Sequence, residues 1–223
     1  DTEEDDELDI GCAGGVDVTA TKAYTAEATN GTAFTLTLKG LNGGHSGMQI
    51  HEGLGNSNKL IARLLNVGTE FGLQIAHMEG GSLRNAIPRE SWAKIVIPTD
   101  KVDAFKTAYE TLRAEIIEEY LTKEPKMVIT LEPTEATSAM SAQDSKVFIQ
   151  TVITAFNGVY RMSPDVEGLV ETSNNVARVE VIEGNVRVLC LTRSSIESGK
   201  EALAQTLKAG FELGGFDVKF SGS

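Results

Sequence analysis

The order in which two hydrophobic periods follow one another limits this chain to few folds. Apolar and polar residues alternate at 34–38 (FTLTL), which is typical of a strand with one buried face. Apolar residues then recur at helical spacing after the helix-start signal GNSN at 55–58. Further along, the periods indicate strands at 73–78, 92–97 and 127–131 and a long helix from Asp100. The order β-α-β-β-α-β predicts a ferredoxin-like unit, with two helices on one face of an antiparallel sheet.

The same order of elements returns in the second half of the chain. The pattern predicts helices at 144–156 and 196–213, strands at 176–182 and 186–191 around a turn at 183–185, and a last strand at 216–220. We expect the strand at 127–131, or a neighbour of it, to open this second unit. Little residue identity links the halves, so the repeat is one of architecture. The predicted fold class is α+β, with two ferredoxin-like halves that continue one sheet edge to edge.

Three segments follow from this pattern. Residues 1–15 hold an acidic run and the glycine-rich GCAGG, which indicate a strand end and a linker. The first half is expected at 16–133 and the second at 134–223. A threonine- and valine-rich stretch at 16–28, followed by Asn-Gly at 30–31, predicts a β-hairpin with the strand at 34–38.

Charge and apolar content exclude some classes of partner. The net charge of −12 argues against nucleic acid and anionic membranes, which need a basic face. No run approaches the ~18 apolar residues of a membrane span, and the acidic start is the opposite of a basic signal-peptide region. We therefore expect a cytoplasmic protein. The two cysteines, Cys12 and Cys190, lie far apart in unlike contexts, which disfavours a disulfide framework or a thiolate metal site.

The segment GGHSG at 43–47 is the first candidate for chemistry. Glycines on both sides of His45 let the backbone approach a ligand, and the imidazole can donate or accept a hydrogen bond near neutral pH. A tight turn whose histidine bonds only a local backbone group is the other interpretation of the same residues. Both interpretations remain open on spacing alone.

Polar residues in predicted loops and at strand ends are the next candidates. An arginine fork matches both oxygens of a carboxylate, and asparagine offers a donor and an acceptor. The candidates are Asn85, Arg89, Asn174, Asn175 and Arg193. Each also has a structural alternative, because asparagine is common in turns and a strand-end arginine often pairs with acidic neighbours in solvent. The sequence has no phosphate-binding loop, no Gly-x-Ser-x-Gly elbow and no helical pairing of histidine with carboxylate, so it holds no complete catalytic centre.

Six segments, in order, resemble those of one peptidase family. They are DTEE at 1–4, GCAGG at 11–15, GGHSG at 43–47 followed by IHEGLGN at 50–56, RNAIPRE at 84–90, VETSNNV at 170–176 and RSS at 193–195. In them the chain resembles the aminoacyl-histidine dipeptidases, cytosolic non-specific dipeptidases of the di-zinc glutamate carboxypeptidase-type group. The resemblance covers essentially the whole chain. Members of this family have a zinc-bearing catalytic domain interrupted by a lid domain.

The resemblance implies that this chain is the lid alone. The family's His-x-Asp motif, Glu-Glu pair and final histidine, which bind two Zn²⁺ ions, have no counterpart here. Asp1 corresponds to one metal-ligand aspartate of the family, separated from the other ligands. The partners implied are a dipeptide substrate, Xaa-His among others, the catalytic domain of the same polypeptide and, through the repeated unit, a homodimer. The chain by itself should be inactive. The alternative is a stand-alone ferredoxin-like module that binds a ligand or dimerises without catalysis.

Roles for single residues also come from the resemblance. His45 corresponds to the lid histidine that stabilises the oxyanion formed at the scissile carbonyl, and Arg193 corresponds to the residue that binds the substrate's free carboxylate. Asn174 or Asn175 corresponds to a contact with the substrate backbone. Asn85 and Arg89 lie in a segment that related enzymes use for substrate or dimer contacts.

Overall fold

A computed structural model describes residues 13–222, which form four α-helices and thirteen strands. The helices are α1 (Ser57–Gly68), α2 (Val102–Tyr120), α3 (Ala142–Thr154) and α4 (Glu197–Leu213). The strands are β1 (Gly14–Ala23), β2 (Glu27–Ala28), β3 (Thr32–Lys39), β4 (Gly44–His45), β5 (Gln74–Gly80), β6 (Ala86–Ile87), β7 (Ser91–Ile97), β8 (Val128–Thr134), β9 (Ser138–Ala139), β10 (Gly158–Met162), β11 (Val170–Ile182), β12 (Asn185–Ser194) and β13 (Asp217–Ser221).

The first ferredoxin-like unit is built as the hydrophobic periods predict. Its elements follow in the order β3, α1, β5, β7, α2 and β8, and its strands lie side by side as β5-β7-β3-β8. Alternation along β3 buries Phe34, Leu36 and Leu38 against the helices, whereas the threonines between them are only partly covered. Strand alternation and helical spacing therefore identify every main element of this unit.

The second unit takes its first strand from the start of the chain. Its strands lie side by side as β11-β12-β1-β13, and β1 pairs with β12 along ten residues, from Gly14 opposite Ser194 to Ala23 opposite Asn185. The prediction that a strand near residue 127 opens this unit is wrong, because β8 pairs with β3. The predicted hairpin between 16–28 and 34–38 is also wrong. The long ladder with β12 gives β1 more backbone hydrogen bonds than a local turn could supply.

β1 thus lies mostly within the expected first half, 16–133, but pairs with strands of the expected second half. The first unit is an insertion between β1 and α3 of the second. Residues 1–12, with most of the predicted linker, lie outside the described part of the chain.

The two units share one sheet, as the edge-to-edge prediction requires. Nine strands of residues 13–222 form this sheet, and the units meet where β11 runs antiparallel to β5, with Glu180 opposite Glu79. Each of these two is the second strand of its own unit. Pairing of equivalent strands in opposite directions is the arrangement that a two-fold axis between the units would give.

Helices cover one face of this sheet and share one core. Contacts link α2 to α1, α1 to α3, and α3 to α4, so the row of helices crosses the seam between units. One apolar cluster includes buried residues of both units, among them Leu64, Phe105, Val152 and Phe211. These findings confirm the α+β class with an antiparallel sheet covered by helices. Within residues 13–222, no helix has the length and apolar character needed to cross a bilayer.

Candidate functional site

The loop at 40–56, between β3 and α1, carries His45. Its short strand β4 pairs with β6, so that His45 lies opposite Ala86, and the backbone N–H of Ser46 donates to the carbonyl of Asn85 at 2.8 Å. Asn56 ends the loop and caps α1 by accepting a hydrogen bond from the N–H of Lys59 at 3.2 Å. The His45 loop is therefore held against the segment that connects β5 to β7.

Hydrogen bonds to the His45 ring define which nitrogen carries the proton. Nδ1 accepts from the backbone N–H groups of Gly47 at 3.3 Å and Met48 at 3.2 Å. A ring nitrogen that accepts cannot hold a hydrogen, so the neutral imidazole carries its proton on Nε2. The local backbone thereby turns Nε2–H into a donor available to a ligand.

The electrostatic setting of His45 favours this neutral form. Burial of the ring, and then the positive charge of Arg193, lower the pKa of His45 below its ordinary value. At neutral pH the side chain is consequently an uncharged hydrogen-bond donor. Both causes come from the way the loop packs against the sheet.

The geometry beside His45 requires one glycine and leaves little room for a side chain at a second. Gly43 has φ +64°, in the left-handed region, and a Cβ there would collide with the side chain of Arg89. A Cβ on Gly47 would lie 3.2 Å from Cε1 of His45 and 3.5 Å from Cδ of Arg193. His45 and Arg193 thus pack against the same glycine, and the expected approach of this backbone to a ligand stays a prediction.

Arg193 is positioned by the second unit. It lies in β12, opposite Gly15 on one side and Ser173 on the other. Its Nε is buried and has no hydrogen-bond partner among residues 13–222. A buried guanidinium N–H without an acceptor costs free energy, which a ligand that accepts its hydrogen bond would offset. A carboxylate is the group whose two oxygens match an arginine fork. The two units therefore each contribute one polar group to the same place.

Asn174 and Asn175 lie inside strand β11 rather than in a loop, and both are buried. The amide of Asn174 donates to the carbonyl of Phe156 at 2.6 Å and accepts from the hydroxyl of Thr192 at 2.9 Å. The amide nitrogen of Asn175 donates to the carbonyls of Arg84 at 3.1 Å and Ala86 at 2.8 Å. Both amides are engaged by the protein itself, and Asn175 holds the strand β6 that pairs with His45.

Asn85 and Arg89 are exposed on the segment that faces the His45 loop. Asn85 contacts the loop through its backbone carbonyl, and Arg89 through the part of its side chain that lies against Gly43. The structure places both residues beside His45. Asp1, the predicted metal ligand, lies outside the described residues.

Three supporting residues were missed by sequence reasoning. Arg84 joins the segment before β6 to the sheet, through an ion pair with Asp17 at 3.3 Å and a hydrogen bond to the hydroxyl of Thr19 at 2.7 Å. Gln49 accepts from the N–H of His45 at 2.9 Å, and Glu124 accepts from two N–H groups of the loop. Only Gln49 is close to His45 in sequence, so local patterns carry no signal for the other two.

Metal-binding side chains are not grouped in the described part of the chain. Within residues 13–222, no cluster of three or more His, Cys, Asp or Glu side chains is arranged to hold a metal ion. The described residues therefore do not fit a zinc centre of their own. The groups they offer instead are the Nε2–H donor of His45 and the buried Nε–H of Arg193.

Comparison with known proteins links the chain to peptidases. Residues 36–124, most of the first unit, match the family model of the peptidase dimerisation domain. Cytosol non-specific dipeptidase of Escherichia coli (strain K12) is 40% identical over 227 residues, covering 100% of this chain and 47% of that protein. The crystal structure of aminoacylhistidine dipeptidase from Vibrio alginolyticus superposes with a TM-score of 0.91 at 40% identity, covering 96% of this chain and 44% of that one. The chain thus spans about half the length of these relatives.

Proposed function

We propose that this chain is the lid of a dipeptidase and contributes His45 and Arg193 to substrate binding and catalysis, because residues 36–124 match the peptidase dimerisation domain model and a 40% identical relative is a dipeptidase. The catalytic domain would belong to the same polypeptide. Its relatives are peptide hydrolases, and the chain corresponds to less than half of each. By itself this chain should not hydrolyse peptides.

One observation carries the proposal: His45, an oriented donor, and Arg193, whose buried Nε–H has no hydrogen-bond partner among residues 13–222, pack against the same glycine. Nε2–H of His45 is freed for a ligand because Gly47 and Met48 occupy Nδ1. Arg193 offers a buried Nε–H on the other side of Gly47. A dipeptide has a carbonyl and a terminal carboxylate a few bonds apart, which suits this pair of donors.

The two side chains would bind different groups of the substrate, the neutral His45 the carbonyl and the charged Arg193 the carboxylate. Nε2–H of His45 donates to the carbonyl oxygen, and that hydrogen bond strengthens as the oxygen gains negative charge during attack. Arg193 holds the terminal carboxylate and so fixes the peptide relative to His45. Xaa-His dipeptides are among the substrates that this arrangement would accept.

Zinc would have to be bound outside the described residues, since these contain no suitable cluster. The family resemblance implies two Zn²⁺ ions, with Asp1 as one ligand. The geometry of His45 and Arg193 supports the roles proposed for them without any assumption about which residues bind the metal.

We assign the asparagines to positioning. Both amide N–H groups of Asn175 donate to backbone carbonyls, so donation to substrate would require breaking one of these hydrogen bonds. The amide of Asn174 is buried between the carbonyl of Phe156 and the hydroxyl of Thr192. Asn175 instead fixes β6, and through it the strand that carries His45. Arg89 and Asn85, which are exposed beside the loop, remain predicted contacts to substrate or to a partner.

Location and assembly are proposed from the same comparisons. A cytoplasmic enzyme is proposed because one relative is named for the cytosol. A homodimer is proposed because the first unit matches a dimerisation domain, and its outer strand β8 pairs with β3 alone within residues 13–222. Sedimentation equilibrium of the full-length protein would measure this directly.

The role of His45 is tested by His45→Ala in the full-length protein. We expect kcat to fall by about 10²–10³, the loss typical of one oxyanion donor, with metal content unchanged. His77→Ala is the matched control, because His77 pairs with Glu79 on β5 and lies outside the proposed site. An unaffected kcat in His45→Ala would disprove the oxyanion role, and a loss of metal would reassign His45 as a ligand.

The role of Arg193 is tested by Arg193→Lys with two substrates. For a dipeptide with a free carboxylate we expect KM to rise roughly 10- to 150-fold, since a hydrogen bond to a charged group is worth about 1.5–3 kcal/mol. For the corresponding dipeptide amide, the variant and the wild type should differ little. Arg187→Lys on the same strand is the control, because its partner is Glu180. An equal effect on both substrates would contradict carboxylate binding.

A further inference from the structure

We infer that Glu124 is a positioning residue for His45, because its carboxylate joins the two ends of the loop that carries the histidine. Oε2 accepts from the backbone N–H of Asn42 at 2.7 Å, and Oε1 accepts from the backbone N–H of Gly55 at 2.8 Å. The inference rests on the role proposed above for His45. It adds a residue from the far end of the first unit to that function.

The carboxylate is itself held firmly in place. Glu124 is 2% exposed and belongs to the turn that follows α2, where its N–H donates to the carbonyl of Tyr120 at 2.7 Å. Its own carbonyl accepts from the N–H of Met127 at 3.0 Å. The neighbouring carbonyl of Lys123 accepts from the side-chain amide of Asn42 at 2.6 Å. The turn therefore provides a rigid base to which both ends of the loop are attached.

Only an ionised carboxylate can accept a hydrogen bond of the same strength from each end of the His45 loop. Each of its oxygens accepts a hydrogen bond, and bonds from N–H groups to a charged acceptor are the stronger kind. An amide in the same place would accept at one oxygen and present an NH₂ group to the other N–H. Glu124→Gln therefore keeps the size of the side chain and releases one end of the loop.

Glu124 has to act through the loop. None of its hydrogen bonds within residues 13–222 involves His45 or Arg193. Asn42 precedes His45 by three positions, and between them Gly43 adopts a left-handed conformation that sets the direction of the chain. A shift at Asn42 would thus be transmitted to the imidazole with little loss.

The inference is tested with Glu124→Gln in the full-length protein. We expect kcat to fall about 10- to 100-fold, since a misplacement of about 1 Å can have that effect, while KM changes little. Glu118→Gln is the matched control, because it makes the same chemical change at an exposed position on α2. In a protein that already carries His45→Ala, Glu124→Gln should cause no further loss of kcat, since both changes remove the same contribution, that of the His45 imidazole.

The NMR signals of the His45 ring give a second readout that does not depend on activity. Glu124→Gln should shift the ring resonances of His45 and raise its pKa toward the ordinary value, because a released loop exposes the ring. Unchanged resonances would overturn the inference, as would an equal loss of kcat in the His45→Ala background. If His45→Ala itself leaves kcat intact, the proposed function fails, and the ring resonances still decide whether Glu124 positions His45.

A milder variant covers the case in which Glu124→Gln does not fold. Asn42→Ala removes only the side-chain bond to the carbonyl of Lys123 and leaves the exposed loop end attached to Glu124. The same shift of the His45 resonances, smaller in size, is expected. An unperturbed ring in this variant would count against the proposed attachment.

Discussion

The neutral state of His45 is a property of three residues acting together. Gly47 and Met48 use Nδ1 as an acceptor, which a protonated ring cannot provide, and Arg193 opposes a second positive charge nearby. Protonation would therefore break two hydrogen bonds and add a repulsion. The loop is compatible with one protonation state of its histidine.

A pH titration of His45 checks this directly. Because the folded pKa is lowered, the unfolded chain binds the proton first as pH falls, so the contribution of His45 to the free energy of unfolding decreases below the ordinary pKa of about 6.5. We expect NMR to give a pKa below 6.5 and nitrogen shifts of the Nε2–H tautomer. Arg193→Met should raise this pKa. A value at or above 6.5 in the wild type, or an Nδ1–H tautomer, would contradict the described geometry.

Single residues also show the limit of local patterns. The glycines of GGHSG predict that the backbone at His45 approaches a ligand, which stays a prediction; the contact that the structure has at Gly47 is with the side chains of His45 and Arg193. The polar motif around Asn174 and Asn175 predicts a loop or a strand end, yet these residues lie inside β11 with buried side chains that donate to the carbonyls of Phe156 and Ala86. Polarity indicates that a group needs a partner and does not say whether the partner is solvent, substrate or protein.

At the scale of elements, α1 connects the two units through Lys59. Its ammonium group donates to the carbonyls of Val152, Ile153 and Ala155, at the carboxyl end of α3, at 2.8, 2.7 and 2.6 Å. Positive charge at a helix C-terminus is favourable, and these carbonyls have no partner within their own helix. Burial nevertheless lowers the pKa of Lys59 to about 8.

Lys59→Met should therefore destabilise the chain by about 1–3 kcal/mol, the cost of leaving buried acceptors unpaired. The lowered pKa means that the unfolded state binds more protons between pH 8 and 10.5, so the advantage of the wild type over the variant should grow as pH rises through that range. Urea unfolding at several pH values measures the difference. Lys146→Met, at an exposed position on α3, is the control, and a difference that shrinks with rising pH would contradict the prediction.

Helices and strands are predictable from sequence where the pattern that identifies them lies within the element itself. Periodicity identified α1 to α4 and the strands of the main sheet from β3 onward, apart from β10, and the turn at Glu183 and Gly184 joins β11 to β12 as expected. The partner of β1 was not predictable, because alternation shows that a strand has a buried face and not which strand lies beside it. That choice depends on closure of the whole sheet.

At the scale of the whole molecule, the two units are expected to unfold together. The seam contains the β11–β5 ladder, the α1–α3 contact and the hydrogen bonds of Asn56 to Asn157 and to the carbonyl of Val176. Neither unit could separate without exposing the core that they share.

Thermal unfolding should accordingly show one transition by both fluorescence and circular dichroism. Trp92 lies in the first unit and reports on it alone, whereas circular dichroism reports on all helices. Coincident curves, with equal calorimetric and van't Hoff enthalpies, are the expected outcome. A loss of Trp92 signal at a temperature distinct from the loss of helix would mean that the units are independent.

The pairing of β1 also affects the order in which the chain can fold while it is synthesised on the ribosome. The first unit lies wholly between β1 and α3, so its strands β3, β5, β7 and β8 have one another as neighbours once β8 has been synthesised. β1 emerges earlier but has to wait for β12 and β13, the last strands to appear, before it has a neighbour. Newly made β1 is therefore an unpaired strand during most of translation, and its threonines and charged residues, with few large apolar side chains, make it less prone to associate with other nascent chains.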